Sequence, residues 1–156
     1  LDNLRRDIIP ALKAVQPAAL ADSVRFYEGH AGVELMLRDV LDSAERTSQR
    51  AYAVISTRTL REHLYRPFPN FTRQRVQRGI HVRVIAVGEG GDEAELAERK
   101  WLPAEQGSDA SYIAIYPPKV AIITLAQKNY PGVIVIESAA IASTQQLMFD
   151  TLWALL

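Results

Sequence analysis

At 156 residues, the chain is long enough for one domain with a real hydrophobic core. Apolar residues make up 48%, which argues against disorder, and the zero formal net charge argues against this segment alone being a nucleic-acid module, since binding a polyanion shows as a basic excess. There is no cysteine, so disulfides and thiolate metal sites are excluded.

In chain order, Leu1, Leu4, Ile8, Leu12 and Val15 recur at spacings of three and four, the stripe of a short helix that Pro10 interrupts. This helix reads as a linker over residues 1–20 whose apolar stripe needs a partner, either the domain or a second subunit. No signal peptide precedes it, no apolar run approaches a membrane span, and a start at Leu1 rather than Met suggests a piece of a longer protein. The domain proper is expected over residues 21–156. Residues 23–27 read as a strand and Glu28 to Gly32 as a turn. Val33, Met36, Leu37, Val40, Leu41 and Ala44 then give the strongest amphipathic helix in the chain. Residues 52–56 form a continuous apolar run, expected as a strand buried on both faces. A helix follows over 57–65, broken by Pro67 and Pro69, and another runs from a cap at Asn70 to Gly79. Residues 80–87 are a further strand. Residues 88–91 form a glycine-rich loop, 92–99 a short charged helix, and Trp101 to Pro103 a small strand.

Three β-branched runs (112–116, 120–125 and 133–136) are separated by Pro-Pro and Asn-Tyr-Pro-Gly turns. Ser138 caps a last helix with Ile141, Thr144, Met148, Thr151, Leu152 and Leu155 on one face. The order predicts an α/β fold, a mixed β-sheet flanked by helices.

The chemistry-bearing residues are few. His30, His63 and His81 lie on different elements with no paired ligand spacing, so no metal site and no cofactor is expected. The 88–91 loop lacks a phosphate-binding glycine pattern and carries Glu89. Arg73, Arg75 and Arg78 read as the solvated face of a helix. Tyr27 and Glu28 end a strand, where a ring and a carboxylate suit a polar small molecule such as a sugar; equally, Glu28 suits a helix start. Ser56 and Thr57 end another strand, as donors to a ligand or as a helix cap. Lys119, at the Pro-Pro turn, is either a cationic anchor or an exposed turn lysine that guards an edge.

Several stretches together resemble the effector domain of the TrmB family of transcriptional regulators. They are VRFYEG (24–29), RGIHVRVIA (78–86), RKWLP (99–103), IYPPKVAII (115–123), GVIVIE (132–137), IASTQ (141–145) and FDTLW (149–153). They run in order from Val24 to the C-terminus. The resemblance implies a phospholipase-D-like sandwich, a cytoplasmic transcriptional role and small-molecule sensing, with sugars the theme. It implies a homodimer in which the 1–20 linker helps. DNA contact would come only through an N-terminal winged-helix domain absent from this chain, and no membrane partner is expected. From their positions at strand ends and at the turn, the expected effector-binding residues are Tyr27 and Glu28 for polar contacts, Ser56 and Thr57 as donors, and Lys119 for an acidic or hydroxylated group. Aligning the phospholipase D signature, His-x-Lys-x4-Asp, on Lys119 puts Pro117 at the nucleophile and Thr124 at the aspartate. Proline offers no side-chain nitrogen to attack phosphorus and threonine carries no charge, so phosphodiesterase activity is not expected.

Overall fold

The computed structural model describes residues 23–104, 111–126 and 130–156; the linker helix expected over residues 1–20 lies outside them. Among the described residues, seven strands form one sheet: β1 (Ser23–Glu28), β2 (Ala51–Thr57), β3 (His81–Val87), β4 (Ala97–Leu102), β5 (Ser111–Tyr116), β6 (Lys119–Ala126) and β7 (Tyr130–Glu137). Their order is β1-β7-β6-β5-β2-β3-β4. The strands β2, β3 and β4 run parallel, and every other neighbouring pair is antiparallel. Among the described residues four helices flank the sheet: α1 (Gly29–Glu45), α2 (Arg58–Leu64), α3 (Phe71–Gln77) and α4 (Ala139–Leu155).

Period-two alternation sorts the core into two layers. Tyr52 and Val54, Tyr112 and Ala114, and Val133 and Val135 face α1, α2 and α3. Ala53, Ile113, Ile115, Val120 and Ile122 face α4. This two-sided burial explains why β2 and β5 are almost continuously apolar. In α1 the 3-1-3-1-3 spacing puts Val33, Met36, Leu37, Val40, Leu41 and Ala44 on one fully buried seam. Each such side chain contributes about 1.5–3 kcal/mol relative to exposure. Gly32 lets the helix cross β1, since a Cβ there would stand 2.7 Å from the Cβ of Tyr27.

Four local expectations change. The turn expected from Glu28 to Gly32 is instead the end of β1 followed directly by α1. Residues 92–99 do not form a helix: 92–96 are irregular and Ala97 begins β4, which pairs in parallel with β3. Pairing there outweighs the local charge, because Ala97, Arg99 and Trp101 alternate with Glu98, Lys100 and Leu102 across the sheet. Asn70 holds the cap position of α3 without a side-chain cap, whereas Ser138 does cap α4, accepting from the Ile141 amide at 3.3 Å. Finally, α4 is turned away from its expected stripe. Ala142, Phe149, Leu152 and Trp153 pack inward, and Ile141, Met148 and Leu155 stay exposed. The aromatic pair decides it: Phe149 and Trp153 stack at 5.7 Å, and their area exceeds what Thr144 and Thr151 would bury.

Candidate functional site

The five expected effector residues do not converge. The pairing register puts Glu28 level with Gly132, Thr124 and Ser111, so Tyr27 and Glu28 share an end of the sheet with Ser56 and Thr57. Four strand steps separate them, about 19 Å at the usual spacing. Lys119 sits at the other end, level with Tyr116 and Glu137, five residues along β6 and so about 17 Å away.

Three of the five, Ser56, Thr57 and Lys119, are hydrogen-bonded internally. Tyr27 packs partly against the α1 core, and Glu28 is exposed at the start of α1 with no cap bond. Ser56 is buried, and its Oγ accepts from Arg61 Nη1 at 3.3 Å. Thr57 precedes α2 without capping it. Its hydroxyl instead donates to the Ser111 carbonyl at 3.2 Å and accepts from the Ser111 amide at 3.0 Å, tying β2 to β5. Lys119 is not a free turn lysine. Its side chain is 15% exposed, and Nζ donates to both carboxylate oxygens of Asp39 on α1, at 2.9 and 3.1 Å. The Tyr116 hydroxyl donates to the same carboxylate at 3.0 Å. Burial, then the Asp39 charge, pushes the Tyr116 phenol far above its ordinary range. Lys119 and Thr124 moreover fall on opposite faces of β6, because their positions differ by an odd number.

A second polar region was missed. It lies between the sheet at β2, β3 and β4 and the helices α2 and α3. A cavity of about 50 Å³ there is lined by Ser56, Arg61, Tyr65, Arg75, Arg99 and Tyr112, among others. Arg75, expected on a solvated face, is 2% exposed. It reaches across the β3–β4 connection and donates to the carbonyls of Ile80, Glu95 and Leu96 at 2.7–2.9 Å. Arg61 donates to the carbonyls of Ser56 and Glu89 at 2.9 and 3.3 Å. Burial, then Arg99 and Arg58, lowers the Arg61 guanidinium below its usual range. The Nη1 of Arg99 is buried with no hydrogen-bond partner. Among the described residues none of these three arginines forms a salt bridge. Tyr52 and Tyr112 cannot serve as counter-ions, because burial raises both phenols far above neutrality.

The sequence did hold a signal for two of these cations. Arg75 stands four residues after Phe71 and so shares its buried face. Arg99 shares a face of β4 with Ala97, opposite Glu98 and Lys100, once that segment is read as a strand. Above the cavity, the 88–91 loop presses on Arg99: a Cβ at Gly91 (φ +104°) would meet its Nη1 at 2.6 Å. Outside the loop an open cleft of about 530 Å³ is lined by Gly88, Gly90, Trp101 and Pro103, among others. Among the described residues no group of three His, Asp or Glu side chains is placed to hold a metal, and no helix is long and apolar enough to cross a membrane.

Comparison with known proteins shows the fold. No protein-family model matches the chain, and no curated protein sequence matches it. Among solved structures, TrmBL2, an archaeal chromatin protein with a novel mode of DNA binding, matches 97% of this chain at TM-score 0.51 and 11% identity. The chain spans 61% of that protein's length. NucT from Helicobacter pylori matches 83% of the chain and is itself 94% covered, at TM-score 0.55 and 11% identity. Polyphosphate kinase from Porphyromonas gingivalis matches 92% of the chain, which covers 28% of it, at TM-score 0.54 and 8% identity. The architecture is thus the phospholipase-D-like sandwich, a mixed sheet with helices on both faces. At these identities the likeness speaks to fold alone.

Proposed function

We propose that this chain is the effector-binding and dimerisation domain of a TrmB-like transcriptional regulator, and that it lacks phosphodiesterase activity. The observation that carries the reading is the likeness to TrmBL2 over 97% of the chain, in a fold whose phosphodiesterase residues are replaced. At Pro117, Lys119 and Thr124 the chain keeps only the lysine, and Asp39 neutralises that lysine. A lysine held in a two-oxygen contact with a carboxylate is not available to a phosphate diester.

The effector is a small polar molecule, sugars among them, bound at the end of the sheet that carries Ser56 and Thr57. DNA contact belongs to a winged-helix segment outside this chain. Dimerisation uses exposed apolar surface. Val24 and Phe26 on β1 and Ile141, Leu147 and Met148 on α4 remain uncovered among the described residues, with Phe26 61% exposed. Effector binding would bias dimer geometry, and a typical coupling of about 1–3 kcal/mol would suffice.

A second reading is a purely structural dimerisation module with a vestigial cleft. The internal bonding of Thr57 and Lys119 favours it. Thermal-shift titration with sugars and metabolites, alongside light scattering, separates the two. A dimer stabilised by none of the ligands leaves only the structural module; a monomer at high concentration removes both. Hydrolysis of a phosphodiester that disappears in Lys119→Ala would overturn the non-enzymatic reading.

A further inference from the structure

The α2–α3 cavity collects positive charge on a protein whose formal net charge is zero. Three guanidiniums line a space from which carboxylates are absent among the described lining residues. Burying one unpaired cation costs several kcal/mol even after relaxation. Backbone carbonyls offset part of that for Arg61 and nearly all of it for Arg75. Arg99 is half-buried as a residue, yet its Nη1 is sealed from solvent with no partner. Natural interiors seldom leave such a group unpaired, so each instance needs an explanation.

The surrounding groups are donors as well. The Tyr112 phenol stays protonated, and Ser56 carries a hydroxyl at the cavity wall. A cluster of N–H and O–H donors with net positive charge recognises an oxyanion. Volume narrows the class. One water needs about 10–15 Å³ by the same measure, so about 50 Å³ holds several waters or one small tetrahedral anion. A nucleic-acid chain cannot enter it. The loop over Arg99 separates this space from the open cleft beside Trp101, so an anion bearing an organic group would need that loop to shift.

We propose that this cavity is an anion site that takes a phosphate-sized oxyanion, free or as the phosphoryl end of a metabolite, with Arg99 as the donor that binds it and Arg61 and Arg75 supplying charge. This rests on the sensor reading only for its biological meaning; the binding itself stands apart from dimerisation and from DNA.

The test uses the whole chain in calorimetry and thermal shift with inorganic phosphate, sulfate and glycerol phosphate, against chloride at equal ionic strength and against glucose. Phosphate should stabilise saturably where chloride does not. Arg99→Gln should bind about tenfold or more weakly, because it removes a charge-assisted bond, while the exposed-surface control Arg46→Gln binds as the parent does. Tighter binding of glycerol phosphate than of phosphate identifies a metabolite as the source, and equal binding identifies the free ion. Should Arg99→Gln fail to fold, phosphate added to the unmodified protein still decides: no saturable effect beyond chloride overturns the proposal. So does full binding by a folded Arg99→Gln. Stabilisation by glucose with none by phosphate sinks the anion site and leaves the sensor reading standing. Phosphate binding through Arg99 by a strict monomer keeps the anion site and removes the dimer.

Discussion

The inner face of the sheet is covered by two unlike roofs. Under α1, over β5, β6 and β7, the packing is apolar, and the mostly buried Lys119 meets a carboxylate that also accepts from a phenol. Under α2 and α3, over β2, β3 and β4, three arginines gather without a carboxylate among the described residues. The first arrangement closes its own electrostatics and is the ordinary way to bury a lysine. The second is open-ended and costs stability, which a scaffold tolerates at a binding site. Charge compensation therefore says more about function here than position at a strand end does. It moves attention from Lys119, where the turn motif points, to Arg99, whose signal appears only once β4 is read as a strand.

The largest contrast should appear at high pH. Tyr52, Tyr112 and Tyr116 are held protonated by burial, with Asp39 adding to the effect at Tyr116 and Arg75 opposing it at Tyr52 and Tyr112. An unfolded phenol ionises near pH 10. Below that pH both states bind the proton and the full stabilisation is present. Above it the unfolded chain loses protons that the folded chain keeps, so stability falls as pH rises toward the raised folded values. Well above that pH each phenol contributes a slope approaching about 1.4 kcal/mol per pH unit, hence about 4 kcal/mol per pH unit for these three together. Urea unfolding from about pH 9 to about pH 11 reads this slope directly. Tyr116→Phe should lower it by about 1.4 kcal/mol per pH unit at most; an unchanged slope would place the titration elsewhere.

Next in size is Asp39→Ala. The carboxylate is itself only 31% exposed, and its loss strands Lys119 and the Tyr116 hydroxyl together. We expect a loss of about 3 kcal/mol in urea unfolding at neutral pH, the usual scale for breaking a largely buried pair. A loss below about 1 kcal/mol would class the contact with surface pairs and erase the difference between the two roofs.

The opposite sign is expected under α2 and α3. Arg99→Met replaces an unpaired buried N–H by apolar volume, and without added anion it should stabilise the protein by about 1–2 kcal/mol. The same variant should lose the response to phosphate. Destabilisation instead would mean that Arg99 is a structural strut against the 88–91 loop rather than a donor awaiting a ligand.

Much of the fold could be read from spacing, because α1 and the strands β2, β3, β5, β6 and β7 carry one dominant apolar period each. The strand β4 was hidden, since Glu98, Arg99 and Lys100 within it and Asp92, Glu93 and Glu95 just before it mimic a helix surface, and only pairing with β3 makes it a strand. In α4 the error was one of phase: counting threonines as apolar outvoted Phe149 and Trp153. The site was less legible than the fold. A residue's end of the sheet follows from the register, and register is a property of partners that a single strand does not carry. Lys119 could be seen as unusual, but its partner lies 80 residues earlier on α1. Arg75 looked solvated because arginines usually are; a turn and a strand start whose carbonyls needed donors drew it inside.

The smallest effect belongs to Thr57, at the seam where the parallel half of the sheet meets the antiparallel half. Backbone pairing of β2 with β5 runs from Ala53 opposite Ile115 to Ser56 opposite Tyr112 and no further. The Thr57 hydroxyl extends it by one rung, accepting from the Ser111 amide and donating to its carbonyl. Thr57→Val keeps the branched shape in a site only 4% exposed and removes both bonds. Ser111 is half-exposed, so water can reach its freed backbone groups. The cost should therefore be about 1 kcal/mol rather than the larger penalty of a sealed site. The urea midpoint should drop with an unchanged slope, the sign of lost stability without a change in compactness. A Thr57→Val protein that also binds phosphate normally would assign this hydroxyl to the seam alone. Loss of binding with no loss of stability would assign it to the ligand, and would join the cavity to the strand end that Ser56 and Thr57 share.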